Sequence, residues 1–230
     1  MTTILVTGAS RGIGFEFVRQ YASDGARVIA CARHPNDAKE LLHLAADANG
    51  RIAIHELDVS SAESVTSFAA DLRLQPIDIL INNAGVYGGT HQQLGDIDYD
   101  AWLRTLSVNT LGPVRVTEAL RPNLTKGREK KVVAITSAMG STAQHDGAAL
   151  IYRSSKAALN NAMRGLAKTL KADGMTVALI HPGWVRTHMG GKSATLTPET
   201  SVLAMRKVIA SLSRSDNGRY INYAGDEIPW

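Results

Sequence analysis

The chain has 230 residues, 44% of them apolar and 20% charged, with a formal net charge of +4. That balance suits a single globular domain able to bury a sizeable core. Charge is scattered apart from Lys126 to Lys131 (KGREKK), which reads as a solvated loop and not as a nucleic-acid patch; no apolar run reaches membrane-spanning length, and the lone Cys31 cannot form an internal disulfide.

Short β-branched runs alternate with stretches of helical period. ILVTG, ARVIACA, RIAIHEL, IDILINNAG, KVVAITS and TVALIHPG read as six strands, with helices near 13–23, 36–48, 61–73, 98–123, 151–173 and 198–212. MTTILVTG enters the first strand almost at once, leaving no room for a charged leader and an apolar signal core, so a soluble cytoplasmic protein is expected. Strands that are continuously apolar and joined by helix-length connections pair in parallel and are covered on both faces, which makes the expected fold α/β: a doubly wound Rossmann-type sheet in one domain over 1–230. Such sheets bind ligands beyond the carboxyl ends of their strands, where Thr7, Ala32, Asp58, Asn82, Ser137 and Pro182 all fall.

TGASRGIG at 7–14 lies between a strand and a helix. Its spacing is G-x3-G-x-G: Gly8 permits the tight turn, Gly12 lets a pyrophosphate approach the backbone, Gly14 allows close helix packing, and the helix N-terminus favours the anion. Readers of NAD carry an acid at the end of the second strand; here that place holds Ala32, with Arg33 next and Arg11 inside the turn. Two guanidinium groups near the ribose suit the 2′-phosphate of NADP(H), in preference to NAD(H), although either arginine would also be at home as a solvated surface residue. Asp58 and Val59 end the third strand, where the carboxylate would bond the adenine amino group or act as a helix cap before SSAES, and the two roles are compatible.

Tyr152 and Lys156 in YRSSK are four apart and share one helix face. A phenol with its ordinary pKa of about 10 gives up a proton reluctantly. An ammonium about 4 Å away, at an effective dielectric near 20, contributes on the order of 4 kcal/mol and would bring that phenol toward neutrality. Ser137, ending VVAITS, would orient and polarise a carbonyl oxygen beside it. Asn109, followed by Gly112 and Pro113, carries a carboxamide that would hold a water on a proton path to Lys156, or be satisfied by backbone inside the helix. Asn82, Asn83, Ala84 and Gly85 make a small polar strand end that a ribose or nicotinamide can approach, and equally a turn held by its Asn side chains.

Taken in series, TGASRGIG, NNAG at 82–85, Asn109, Ser137, YRSSK at 152–156 and PGWVRT at 182–187 resemble the short-chain dehydrogenase/reductase family from Ile4 to about Met189. The resemblance implies an NAD(P)(H)-dependent oxidoreductase with Asn109, Ser137, Tyr152 and Lys156 as its catalytic tetrad and Thr187 beside the nicotinamide carboxamide. Its cofactor contacts would come from Gly8, Ser10, Arg11, Gly12, Ile13 and Gly14, from Arg33, Asp58 and Val59, from Asn82, Ala84 and Gly85, from Tyr152 and Lys156, and from Pro182, Gly183, Trp184, Val185 and Thr187. The tail GRYINYAGDEIPW is similar to the branch of C-factor and Sniffer-type carbonyl reductases.

The reaction that follows is transfer of hydride between NADPH and a ketone, aldehyde or secondary alcohol, with no metal. Met139, Gln144, His145, Trp184, His188 and Met189 are expected on the substrate side. Fifteen positions separate Ser137 from Tyr152, slightly more than in many members of the family it resembles, which implies a somewhat larger substrate wall built by residues 138–151. A non-catalytic NAD(P)-binding sensor is the alternative, one that would not need the tyrosine, lysine and serine set. Relatives often pair through the helices near 98–123 and 151–173, which leaves a homo-oligomer open.

Overall fold

A computed structural model describes residues 1–230. Its strands are β1 (Thr3–Thr7), β2 (Arg27–Ala32), β3 (Ile52–Glu56), β4 (Ile79–Asn82), a small hairpin of β5 (Gln92–Gln93) and β6 (Asp96–Ile97), then β7 (Lys131–Ile135), β8 (Thr176–His181) and β9 (Arg219–Asn222). The helices are α1 (Gly12–Ser23), α2 (Lys39–Asp47), α3 (Ala62–Asp71), α4 (Tyr99–Leu106), α5 (Gly112–Ala119), α6 (Arg121–Lys126), α7 (Leu150–Leu170) and α8 (Pro198–Ser211).

Seven strands form one parallel sheet in the order β3-β2-β1-β4-β7-β8-β9. The chain winds from β1 to one edge and then crosses back to β4, so the winding direction reverses between β1 and β4 and opens a crevice at their carboxyl ends. Alternation along each strand divides the core in two. Ile4, Val6, Val28, Ile81 and Val133 pack under α1, α2 and α8, while Leu5, Ile29, Leu80, Val132 and Leu179 pack under α3, α5, α6 and α7. Each such side chain, fully buried, contributes about 1.5–3 kcal/mol.

Besides the β5–β6 hairpin, which no sequence run suggested, two elements differ from the sequence expectation. The helix read over 98–123 is broken: after α4 the chain makes one π turn over Ser107–Leu111, with the Gly112 amide donating to the Ser107 carbonyl, before α5 and α6 continue. Pro113 explains this, because it has no N–H to offer the Asn109 carbonyl one α-helical turn back. The second difference is β9, a seventh strand paired with β8 through Leu179↔Tyr220 and Ile180↔Ile221. Only its two middle residues are buried, so RYIN is too short an apolar run to register as a strand.

Candidate active site

Gly8 and Gly12 take positive φ, +66° and +58°. A Cβ on Gly8 would sit 2.8 Å from the Ala84 Cα, and one on Gly12 would sit 3.3 Å from the Thr187 Cγ2. The glycine turn is therefore where β1, the NNAG segment and the PGWVRT loop converge. Thr7 and Asn83 lock two of these together: the Asn83 and Ala84 amides donate to Thr7 Oγ1 at 3.0 and 3.1 Å, and Asn83 Nδ2 donates to the carbonyls of Thr7 and Gly8 at 2.9 and 3.1 Å. Helix α1 then starts at Gly12 from Arg11, which has extended backbone and no side-chain cap. The first amides of α1, at Gly12, Ile13 and Gly14, point outward as a donor set at the positive end of the helix dipole. Pyrophosphate chemistry fits that cradle.

In the glycine turn itself Arg11 is exposed and Ser10 half-buried, and at the end of β2 Arg33 is exposed and Ala32 buried. Asp58 accepts from the Ser60 amide and hydroxyl at 2.8 and 2.6 Å. Burial would raise its carboxyl, but those bonds, with Arg33 and His34 nearby, hold it below the usual carboxylate range. The cap of α3 is Ser61 and not Asp58: its Oγ accepts from the Ser64 amide at 3.1 Å. Val59 is buried behind it against Gly112, whose added Cβ would come within 2.9 Å of Val59 Cγ2. Asn82 is buried with Nδ2 donating to Thr117 Oγ1 at 3.1 Å and Oδ1 unpartnered, so its side chain points away from the crevice and only its backbone lies along it.

The three side chains expected to react, Tyr152, Lys156 and Ser137, meet at the ends of β4 and β7. Tyr152 is 8% exposed, and Lys156 and Ser137 are buried beside it. Lys156 Nζ donates to the Ile135 carbonyl at 2.9 Å and lies 5.8 Å from the Tyr152 ring centroid. A Cβ on Gly85 would be 3.7 Å from that Nζ, which brings NNAG into the same pocket. Burial pushes the Tyr152 phenol up to about 12, with the nearby Ser137 hydroxyl opposing and Tyr87 and Tyr220 adding to the rise. Burial also pushes the Lys156 ammonium down to about 8. The expectation that Lys156 lowers the phenol is thus corrected for this state of the protein: loss of water around the ring outweighs a cation placed over its face.

Asn109 is fully buried, and its carboxamide is committed to protein. Oδ1 accepts from the Val86 amide at 2.8 Å, and Nδ2 donates to the Val86 carbonyl at 2.8 Å and to Ser155 Oγ at 3.0 Å. The side chain fastens the segment after NNAG to α7; of the two alternatives read from sequence, the structure shows the one satisfied by backbone. Ser155 continues the tie by donating to the Tyr152 carbonyl at 2.7 Å.

On the expected substrate side Met139 is half-buried, and Gln144, His145, His188 and Met189 are exposed. Trp184 is 52% exposed and its indole N–H donates to the Gly190 carbonyl at 2.9 Å, closing the loop that carries Pro182, Gly183, Val185 and Thr187. The Thr187 hydroxyl accepts from the Gly190 amide at 3.1 Å within that loop. Residues 138–149 are strapped to α7 by Arg153, which donates to the Gln144 carbonyl at 3.2 Å and pairs with Asp146 at 2.6 Å.

Sequence reasoning missed three residues of this neighbourhood. Tyr220 on β9 donates to the Ser137 carbonyl at 2.5 Å. The Tyr87 ring lies 5.1 Å from that of Tyr152. Gln92, in the hairpin, accepts from the Tyr152 amide at 3.0 Å. The alternation in RYINY was the one available signal for Tyr220; the polar stretch around Gln92 carried none.

The comparisons agree with this geometry. The family model described as short chain dehydrogenase matches residues 2–196. The chain is 47% identical over 165 residues to the C-signal protein of Myxococcus xanthus, covering 71% of this chain and 99% of that one. It is 35% identical over 237 residues, spanning all of both chains, to 1-hydroxy-2-glutathionyl-2-methyl-3-butene dehydrogenase of Rhodococcus sp. strain AD45. Among solved structures it superposes with a TM-score of 0.93 on the NADPH-bound carbonyl reductase from chicken fatty liver, at 31% identity, covering 100% of this chain and 99% of that one. The carbonyl reductase Sniffer of D. melanogaster gives the same TM-score of 0.93 at 30% identity over the whole of both chains. No helix is long and apolar enough to cross a membrane. The chain belongs to the short-chain dehydrogenase/reductase family and is an NAD(P)-dependent oxidoreductase.

Proposed function

We propose that this enzyme is an NADP(H)-dependent carbonyl reductase acting on small ketones or aldehydes, with Tyr152, Ser137 and Lys156 at its reacting centre. The observation that carries the reading is the burial of these three side chains together, beside Gly85 and at the mouth of the β1/β4 crevice. When bound, the dinucleotide supplies the hydride or takes it back.

This chain's own residues do the rest. The amides of Gly12, Ile13 and Gly14 receive the pyrophosphate, with Gly8 and Ser10 shaping the turn. Arg33 and Arg11, with no acid at Ala32, favour the extra phosphate of NADP(H) over NAD(H). Asp58 and Val59 border the adenine, and the backbone of Asn82, Ala84 and Gly85 borders the ribose, with Lys156 beside them. Pro182, Gly183, Trp184, Val185 and Thr187 close over the nicotinamide end. Tyr152, whose phenol stays protonated throughout the neutral range, donates its proton to the carbonyl oxygen, and the Ser137 hydroxyl holds that oxygen. The mix of Tyr87, Met139, Trp184 and Met189 near the mouth suits an apolar or aromatic carbonyl compound.

The reading is tested by following NADPH consumption against a panel of alkyl and aryl ketones and aldehydes, with Tyr152→Phe alongside. Turnover by the wild type and its loss in the variant support it. NADPH binding with no turnover of any carbonyl would favour the non-catalytic sensor instead.

A further inference from the structure

Helix α7 carries Tyr152 in its first turn yet starts without the usual support. Ala149 occupies the N-cap position with φ +51°, and it has no side-chain oxygen to offer the orphan amides that follow. The Tyr152 amide is nevertheless satisfied, by Gln92 Oε1 at 3.0 Å, from a residue sixty positions earlier in the chain. The other end of the same carboxamide donates to the carbonyls of Tyr87 at 3.0 Å and Gly89 at 2.7 Å. Gln92 is 3% exposed, so all three bonds are made away from water.

These bonds tie two pieces of the pocket together. Residues 86–91 run against the start of α7 so closely that a Cβ on Gly88 would fall 2.6 Å from Ile151 Cγ2. The Tyr87 ring consequently rests 5.1 Å from the Tyr152 ring, tilted by 34°. A terminal amide is the side-chain group that suits this place, accepting at one atom and donating twice at the other. Ionised glutamate keeps the acceptor and loses both donors; methionine loses all three bonds at nearly the same length.

We propose that Gln92 is a positioning residue for Tyr152. It supplies from the β5–β6 hairpin the cap that Ala149 lacks, fixes the first turn of α7, and so sets where the phenol meets the substrate oxygen. This rests on the reading of Tyr152 as the proton donor.

The test compares wild type, Gln92→Met, Gln92→Glu and Tyr152→Phe in three measurements: kcat for an aryl ketone, the Kd of NADPH by fluorescence titration, and amide exchange at Tyr152. Gln92→Met should lower kcat by about tenfold or more while the NADPH Kd stays within about twofold, because a small displacement of a reacting group costs rate and not cofactor affinity. Its Tyr152 amide should exchange faster. Gln92→Glu can still accept that amide, and below the pKa of its carboxyl the protonated oxygen can donate to one of the two carbonyls, so at acid pH it should recover part of the lost kcat and keep the amide protected. An unchanged kcat or unchanged exchange in Gln92→Met overturns the proposal, as does a loss in Gln92→Glu that stays equal to that of Gln92→Met at acid pH, or a loss matched by weaker NADPH binding. A wild type that binds NADPH but turns over no carbonyl overturns the reductase reading itself, while the exchange data still report whether the Gln92 bond exists.

Discussion

Lys156 Nζ lies 5.8 Å from the centroid of the Tyr152 ring and spends a hydrogen bond on the Ile135 carbonyl at 2.9 Å. An isolated pair at that separation would lower the phenol and raise the amine. In this pocket both groups move the other way, because each is stripped of water and the charged form of each suffers for it. Tyr152 is left as a strong holder of its proton and Lys156 as an ammonium that titrates near neutrality.

The pH dependence follows. With its pKa raised to about 12, Tyr152 keeps the proton needed for carbonyl reduction throughout the neutral range. With its pKa lowered to about 8, Lys156 is charged below that pH and neutral above it. The kcat/KM for NADPH reports groups of the free enzyme. It should be level at neutral pH and fall as the pH rises through about 8, when the ammonium is lost. Alcohol oxidation needs the phenolate and should instead gain rate with rising pH. A descending reduction limb well on the acid side of neutrality would contradict the assignment.

Replacing Tyr152 by Phe removes the proposed proton donor and leaves the ring that packs on Tyr87. Reduction should fall by at least about 100-fold, the scale of a lost general acid. Ser137→Ala should fall by about 100- to 1000-fold, the scale of a lost donor to a developing oxyanion. NADPH affinity should hold in both, so single-turnover rates and equilibrium titration separate the effects.

Much of this was legible in sequence, for identifiable reasons. TGASRGIG and YRSSK are local: their residues meet through one turn and one helix face, which spacing alone dictates. Five of the six strands read from sequence have continuous buried runs, β3 being legible by its β-branched residues with only Ile52 buried, and their carboxyl ends did gather the crevice. What escaped depended on distance. The break at Ser107–Leu111 comes from Pro113 denying a donor to Asn109, an effect that a periodic pattern averages away. Tyr220 and Gln92 reach Ser137 and Tyr152 across 83 and 60 residues, through side-chain bonds to backbone that no short motif encodes. The direction of the Tyr152 shift escaped as well, because it depends on how much water the fold removes.

Tyr220 offers a direct check of such a long-range tie. Its hydroxyl donates to the Ser137 carbonyl at 2.5 Å, and its ring packs in the core beside Leu179. Tyr220→Phe keeps the ring and leaves a buried carbonyl without that donor. It should cost about 1–3 kcal/mol of stability, read as a lower urea midpoint with an unchanged slope. A midpoint equal to that of the wild type would show that the carbonyl finds another donor.

In the proposed reading, cofactor preference turns on Arg33. The guanidinium is exposed at the end of β2, follows buried Ala32, and lies near Asp58. Its fork would contact the 2′-phosphate of NADPH and has nothing comparable to hold on NADH. A charge-assisted bond of this kind contributes about 1.5–3 kcal/mol, so Arg33→Ala should weaken NADPH by roughly 10- to 150-fold and leave NADH nearly unchanged. Arg33→Asp goes further, since its carboxylate repels the phosphate and accepts from the ribose hydroxyls of NADH; it should reverse the preference. The wild-type advantage for NADPH should also shrink as salt rises, because the pair is exposed. Kd values for both dinucleotides at two salt concentrations decide it: equal losses for the two in Arg33→Ala would mean that the phosphate is read elsewhere, with Arg11 the next residue to replace.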